Sequence, residues 1–164
     1  MQYVSTRGAW RDAPQPFSAI LLEGLAPDGG LALPVAWPRF GPGELAHLRT
    51  LDYPELAFEV LSRFASDIEP VDLRRLVTGT YTTETFGSAD ITPLLTLEPG
   101  LHLLRVSNGP TLSFKDIALQ LLGALFEYAL ARESRVMNVV GATSGDTGSS
   151  AEVAMLGKRA VAVF

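Results

Sequence analysis

The sequence predicts an α/β protein, in which a small, mainly helical N-terminal subdomain leads into the start of a doubly wound α/β domain. The chain has 164 residues, of which 47% are hydrophobic and 19% are charged. This length supports a buried core, and the composition is too apolar for a disordered chain. Residues 1–90 contain short helical patterns broken by proline and glycine, whereas residues 91–164 alternate between strand and helix patterns. We therefore place the domain boundary near residue 90.

Local signals define the helices in the first part of the chain. The segment from Phe17 to Glu23 is predicted as a short helix that ends at Gly24, because glycine readily adopts the left-handed conformation of a helix end. Asp52 is a typical N-cap residue, and the apolar residues that follow it recur at helical spacing. A further short helix is expected from Val71 to Val77, closed by Gly79.

Two segments between these helices are predicted to be irregular. Residues 26–30 have the sequence Ala-Pro-Asp-Gly-Gly, in which proline presets one backbone angle and the glycines accept positive ones, so a turn is expected. The stretch from Pro34 to Pro42 contains three prolines and is expected to form neither helix nor strand.

Residues 91–164 are expected to alternate strands with helices. The predicted segments are, in chain order, a strand at 101–106, a helix at 113–132, a strand at 135–140, a helix at 146–156 and a strand at 160–164. The last three form a strand–helix–strand unit, which implies two parallel strands joined by a right-handed crossover. Because parallel sheets are normally covered on both faces, a chain that stops on such a strand is expected to be a fragment of a longer domain.

Composition excludes several classes of function. The chain has no cysteine, which excludes disulfides, thiolate zinc sites and cysteine nucleophiles. It has two histidines, His47 and His102, in unrelated contexts, so we expect no metal site and no serine–histidine triad. The net charge of −5 argues against nucleic acid as a partner. No apolar run reaches membrane-spanning length and no signal peptide is evident, so a cytoplasmic protein without membrane contact is expected.

The first segment that carries chemistry is Asn108 to Asp116, which contains Lys115. Of the 13 basic residues, only Lys115 and Lys158 are lysines, so a lysine here is more informative than usual. Ser113 and Asp116 match a helix-capping box, which places Lys115 in the first helical turn. The positive helix end and the neighbouring Phe114 favour the uncharged amine, whereas Asp116 opposes it. The alternative is a solvated lysine on a capped helix.

The second segment is the glycine-rich stretch from Gly141 to Ser150, between a predicted strand and a predicted helix. Such a turn presents backbone N–H groups and the positive helix end to an anion. Its glycine spacing matches neither a Walker A loop nor a dinucleotide-binding fingerprint. We therefore predict an anion-binding turn, and the alternative is a tight connection that only serves packing. The candidate anion-binding residues are Thr143, Ser144, Gly145, Asp146, Thr147 and Gly148.

The two segments together indicate a carbonyl cofactor held by an amine, beside a turn that binds a phosphate or carboxylate. Pyridoxal phosphate is the cofactor that best fits this combination. The segments 108–120 and 142–148 resemble the cofactor-lysine segment and the substrate-anion loop of threonine synthases, which have the tryptophan-synthase-β-like fold. Residues 3–8 and 24–31 are similar to the opening signatures of the same family.

This resemblance implies conversion of O-phospho-L-homoserine and water to L-threonine and phosphate. It implies that Lys115 holds pyridoxal phosphate and moves protons, that Phe114 belongs to the cofactor site, and that residues 143–148 hold a substrate anion. Such enzymes are longer than this chain, so the fragment alone is expected to be inactive. Two alternatives stay open: another enzyme of the same fold, such as a threonine or serine dehydratase or a sulfhydrylase, and a non-catalytic anion-binding module.

Overall fold

The structure is a computed structural model that describes residues 1–164, with seven helices and six short strands. The elements are, in chain order, β1 (Tyr3–Ser5), α1 (Phe17–Glu23), β2 (Ala32–Pro34), α2 (Pro42–Leu48), α3 (Tyr53–Phe64), α4 (Pro70–Thr80), α5 (Thr83–Phe86), β3 (Leu94–Glu98), β4 (Leu101–Leu104), α6 (Asp116–Glu133), β5 (Met137–Val139), α7 (Asp146–Met155) and β6 (Val161–Val163). The chain forms two compact units, residues 1–75 and 76–164. The predicted boundary near residue 90 falls inside the second unit and stays a prediction.

The first unit combines a small antiparallel strand pair with helices. Strand β1 pairs with β2, with Tyr3 opposite Pro34. Helix α1 spans the predicted residues and ends at Gly24, whose φ of 72° explains the preference for glycine there. Helix α3 begins as predicted, because the Asp52 carboxylate accepts a hydrogen bond from the Glu55 amide at 3.0 Å.

Two predictions in the first part of the chain need correction. Residues 35–41 are irregular as expected, but Pro34 is the last residue of β2 and Pro42 is the first residue of α2, since proline is tolerated at the first helical position. Gly79 does not close α4, which continues to Thr80. The Tyr81 amide still donates to the Val77 carbonyl at 3.0 Å, and both side chains are buried. Burial thus overrides the low helix propensity of glycine.

The second unit contains an antiparallel hairpin and a parallel strand–helix–strand unit. The hairpin joins β3, which was not predicted, to β4, which is shorter than expected. Strand β5 is parallel to β6, with Met137 opposite Val161, and α7 lies between them in the sequence, as predicted. The 18-residue helix α6 packs closely on α7: a Cβ added to Gly123 would lie 2.4 Å from the carbonyl oxygen of Ala154.

No helix of the structure combines the length and the apolarity that a membrane crossing requires. No group of three or more histidine, aspartate or glutamate side chains is arranged so that it could hold a metal ion.

Candidate active site

Lys115 is the residue immediately before α6, because the helix starts two residues later than the capping box predicted. The helix begins at Asp116, and Lys115 is its N-cap residue with α-helical angles (φ −65°, ψ −23°). The predicted pairing of Ser113 with Asp116 is wrong. The Ser113 hydroxyl accepts from the Lys115 amide at 3.3 Å, but the Asp116 carboxylate binds other donors. A left-handed residue, Leu112 (φ 59°), turns the chain so that the preceding loop folds back over the helix start.

The Lys115 side chain lies between an aromatic ring and a carboxylate. Its Nζ is 4.4 Å from the centroid of the Phe114 ring and 3.8 Å from Oδ2 of Asp146. The lysine side chain is 28% exposed, so most of its stem is shielded from water. The contact with Asp146 joins the start of α6 to the start of α7. The two predicted segments therefore meet in space at this amine.

The loop before α7 is braced by a threonine. Oγ1 of Thr143 accepts hydrogen bonds from the amides of Gly145, at 3.1 Å, and Gly148, at 3.0 Å. A Cβ on Gly148 would lie only 2.8 Å from this oxygen, and Gly145 has a φ of 129°, which L side chains rarely adopt. Glycine is therefore required at both positions for this loop shape.

The hydrogen bonds accepted by Thr143 leave other donors of this loop free to bind a ligand. The amides of Asp146 and Thr147, the first two residues of α7, donate to no acceptor in the chain. The side chains of Ser144 and Thr147 are exposed and make no hydrogen bond within the protein. Since the positive end of α7 lies at the same place, this part of the loop can bind an anion.

Asp116 is buried with no accessible surface, and both carboxylate oxygens accept hydrogen bonds. Oδ2 accepts from the Thr111 amide at 2.8 Å. Oδ1 accepts from the Thr111 hydroxyl at 2.8 Å and from the Ser150 hydroxyl at 2.5 Å. The carboxylate thus connects the loop before Lys115 to α7. Three hydrogen bonds offset much of the cost of burying the charge.

Sequence reasoning assigned no role to Thr111 or Ser150. A signal for Ser150 was present, since Ser150 and Ala154 are small residues at i and i+4 of a predicted helix and form its buried face. No local pattern identified Thr111, because Thr111 reaches Asp116 only when the loop before α6 folds back over the start of that helix.

Known proteins are similar to this chain along its whole length. The sequence profile of the family described as "Threonine synthase N terminus" matches residues 2–81. A threonine synthase from Methylobacillus glycogenes is 52% identical over 171 residues, which cover 100% of this chain and 36% of that protein. A threonine synthase from Corynebacterium glutamicum is 49% identical and is aligned over 100% of this chain and 35% of its own length. The whole chain is thus similar to the amino-terminal part of threonine synthases.

A solved structure shows that the fold of the threonine synthases is shared over the whole chain. The crystal structure of a PLP-bound threonine synthase from Brucella melitensis superposes with a TM-score of 0.92 at 41% identity, covering 100% of this chain and 35% of that one. The predicted fold class and the resemblance to threonine synthases are thereby confirmed. The chain spans about a third of the length of the relatives it matches. The roles of Lys115, Phe114 and residues 143–148 stay predictions.

Proposed function

We propose that these residues form the amino-terminal portion of a threonine synthase, which uses pyridoxal phosphate to convert O-phospho-L-homoserine and water to L-threonine and phosphate. The observation that carries this proposal is the placement of the Lys115 amine 3.8 Å from Asp146, at the amino end of α7. An amine and an anion-binding helix start are thus adjacent, as a phosphorylated substrate that reacts at a carbonyl cofactor requires.

The residues around Lys115 fit pyridoxal phosphate. Lys158, the other lysine, has its amine 3.0 Å from a carboxylate oxygen of Glu127, whereas Lys115 faces the anion loop. When bound, the cofactor supplies an electron sink for the substrate carbons. Lys115 would hold the cofactor through Nζ and later carry a proton on the same atom. Phe114 would flank Nζ with an apolar surface that limits access of water.

The anion loop would bind the substrate through the start of α7. The amides of Asp146 and Thr147 and the hydroxyls of Ser144 and Thr147 would donate to a phosphate or carboxylate oxygen. Thr143, Gly145 and Gly148 would act by holding the loop in shape, because their polar groups already bond one another. The Asp146 carboxylate would keep the lysine amine at the edge of this loop.

We further propose that the fragment alone is inactive or nearly so and that the protein works in the cytoplasm. The chain spans about a third of its relatives, so most of a complete cofactor site would come from residues outside it. Turnover of O-phospho-L-homoserine by the isolated 164-residue chain would contradict this part of the proposal.

The test is phosphate release from O-phospho-L-homoserine by the complete protein that carries these residues. Lys115→Ala should lower kcat by on the order of 10²–10⁴-fold, because a proton-transferring group is lost. Lys158→Ala is the matched control and should leave kcat unchanged, since its amine pairs with Glu127. Equal effects of the two substitutions would contradict the proposed role of Lys115. Deamination of serine or threonine without phosphate release would instead indicate a dehydratase of the same fold.

A further inference from the structure

One buried charge in the second unit is not used by the proposed chemistry. Asp116 adjoins Lys115 in sequence, has no accessible surface and faces no basic side chain within ion-pair distance. A buried carboxylate without a cation is costly, and an apolar residue could fill the same space at lower cost. A carboxylate at this position therefore calls for a role that depends on its two acceptor oxygens.

The hydrogen bonds of Asp116 connect the two proposed functional segments. Thr111 binds both oxygens from the loop before Lys115, and Ser150 binds Oδ1 from the second turn of α7. The loop also packs directly on the carboxylate, since a Cβ on Gly109 would lie 2.3 Å from Cβ of Asp116. Asp116 is thus fixed on one side by the lysine segment and on the other by the helix of the anion loop.

We propose that Asp116 is a positioning residue: through Ser150, it sets the distance between the Lys115 amine and the anion loop. This inference rests on the proposed function, because the distance matters only if both groups act on one substrate. Lys115 directly precedes Asp116 in the chain, so the position of Asp116 constrains the position of Lys115. The free amides of Asp146 and Thr147 lie one turn before Ser150 on α7. A shift of α7 along α6 would therefore change the position of the bound anion relative to Nζ.

The experiment compares three variants of the complete protein: Ser150→Ala, Asp116→Asn and Thr80→Val. Ser150→Ala removes only the hydroxyl that reaches Asp116. Asp116→Asn keeps the shape but removes the charge and one acceptor oxygen. An NH2 group in place of Oδ2 loses the bond from the Thr111 amide, and one in place of Oδ1 can no longer accept from the hydroxyls of Thr111 and Ser150. Thr80→Val is the control, because Thr80 is also buried and its hydroxyl donates within α4 to the Leu76 carbonyl at 2.8 Å.

Two readouts separate positioning from general destabilisation. Borohydride trapping with pyridoxal phosphate gives the fraction of protein labelled at Lys115, and kcat is then expressed per labelled site. Amide hydrogen exchange of the peptide that covers α7 reports its attachment without any need for activity. We expect Ser150→Ala and Asp116→Asn each to lower kcat per labelled site by about 10–100-fold and to accelerate exchange in α7. The double variant should lose no more than the stronger single variant.

The outcomes distinguish failure of the positioning role of Asp116 from failure of the proposed function. If kcat per labelled site is the same in Ser150→Ala as in Thr80→Val, Asp116 is only structural and the inference is wrong. If the Asp116→Asn protein fails to fold, the result for Ser150→Ala alone tests the inference, because that substitution removes a single oxygen atom. If the unsubstituted protein neither labels at Lys115 nor turns over substrate, the proposed function is wrong, and the positioning role fails with it even where exchange in α7 responds.

Discussion

The amine of Lys115, the residue before α6, lies 3.8 Å from the carboxylate of Asp146, the first residue of α7, although a strand separates the two helices in the sequence. This contact brings the amino end of α6 and the amino end of α7 to one place. Both helix ends carry partial positive charge, so an anionic ligand is favoured between them. The sequence motifs that contain these residues therefore form one candidate site rather than two.

The Thr143 brace should control the affinity of the loop for anions. In the complete protein, Thr143→Val removes the acceptor of two loop amides while Thr143→Ser keeps it. Because the loop is exposed and water replaces part of the lost bonding, we expect a cost of about 0.5–1.5 kcal/mol. Inhibition by inorganic phosphate measures the effect, which should be a few-fold to tenfold weaker binding for Thr143→Val and near-normal binding for Thr143→Ser. Equal binding by both variants would show that the brace is not needed.

Substitution by alanine should destabilise the protein more at Gly123 than at Gly79, the other helical glycine compared. Gly123→Ala would place Cβ 2.4 Å from the Ala154 carbonyl oxygen, so α6 and α7 must separate. Gly79→Ala in α4 meets nothing within 4 Å and removes a poor helix former. We expect Gly123→Ala to lower the free energy of unfolding by about 1–3 kcal/mol. Gly79→Ala should leave it unchanged or raise it by about 0.5–1 kcal/mol. Urea unfolding of both variants tests this, and similar midpoints would contradict the tight packing of α6 on α7.

Asp67 should stabilise the first unit in a pH-dependent way. Its carboxylate accepts from the amides of Phe17, at 3.1 Å, and Ser18, at 2.9 Å, and so caps α1 from a distant part of the sequence. Burial raises the pKa of Asp67, but the hydrogen bonds from Ser18 and Phe17 outweigh it and hold the pKa below its ordinary value. A lowered folded-state pKa stabilises the protein above the unfolded-state pKa, and this contribution is lost as pH falls through the folded-state value.

Urea unfolding between pH 7 and pH 3 measures this contribution. Asp67→Ala should lower the free energy of unfolding by about 0.5–2 kcal/mol at pH 7, as for loss of a helix cap. The difference from the unsubstituted protein should narrow below about pH 4, as the carboxylate becomes protonated. Asp12→Ala is the control, because Asp12 is exposed and accepts no hydrogen bond in the structure. A difference that stays constant with pH would show that the charge of Asp67 is not involved.

The elements that sequence predicted well are those decided by neighbouring residues. The cap at Asp52, the stop at Gly24 and the start of α7 at Asp146 depend on side chains within a few positions. The parallel pairing of β5 with β6 followed from the alternation of strand and helix patterns, since a helical crossover permits parallel strands.

The features that sequence missed depend on contacts between distant residues. The late start of α6 arises because Thr111 and Ser150 bind Asp116, which therefore does not cap its own helix. The continuation of α4 past Gly79 depends on burial of Val77. In the candidate site, the residue types were predicted, but the sharing of Thr143 by two loop amides could not be inferred without the fold of the loop.

The most direct test is a borohydride trap with pyridoxal phosphate on the complete protein, followed by peptide mass mapping. Lys115 faces the anion loop, whereas the amine of Lys158 pairs with Glu127, so the two lysines are internal controls for each other. We predict that the pyridoxyl adduct is concentrated on Lys115, with little label on Lys158 or the amino terminus. Equal labelling of the two lysines, or no label on Lys115, would contradict the assignment of Lys115 as the cofactor lysine.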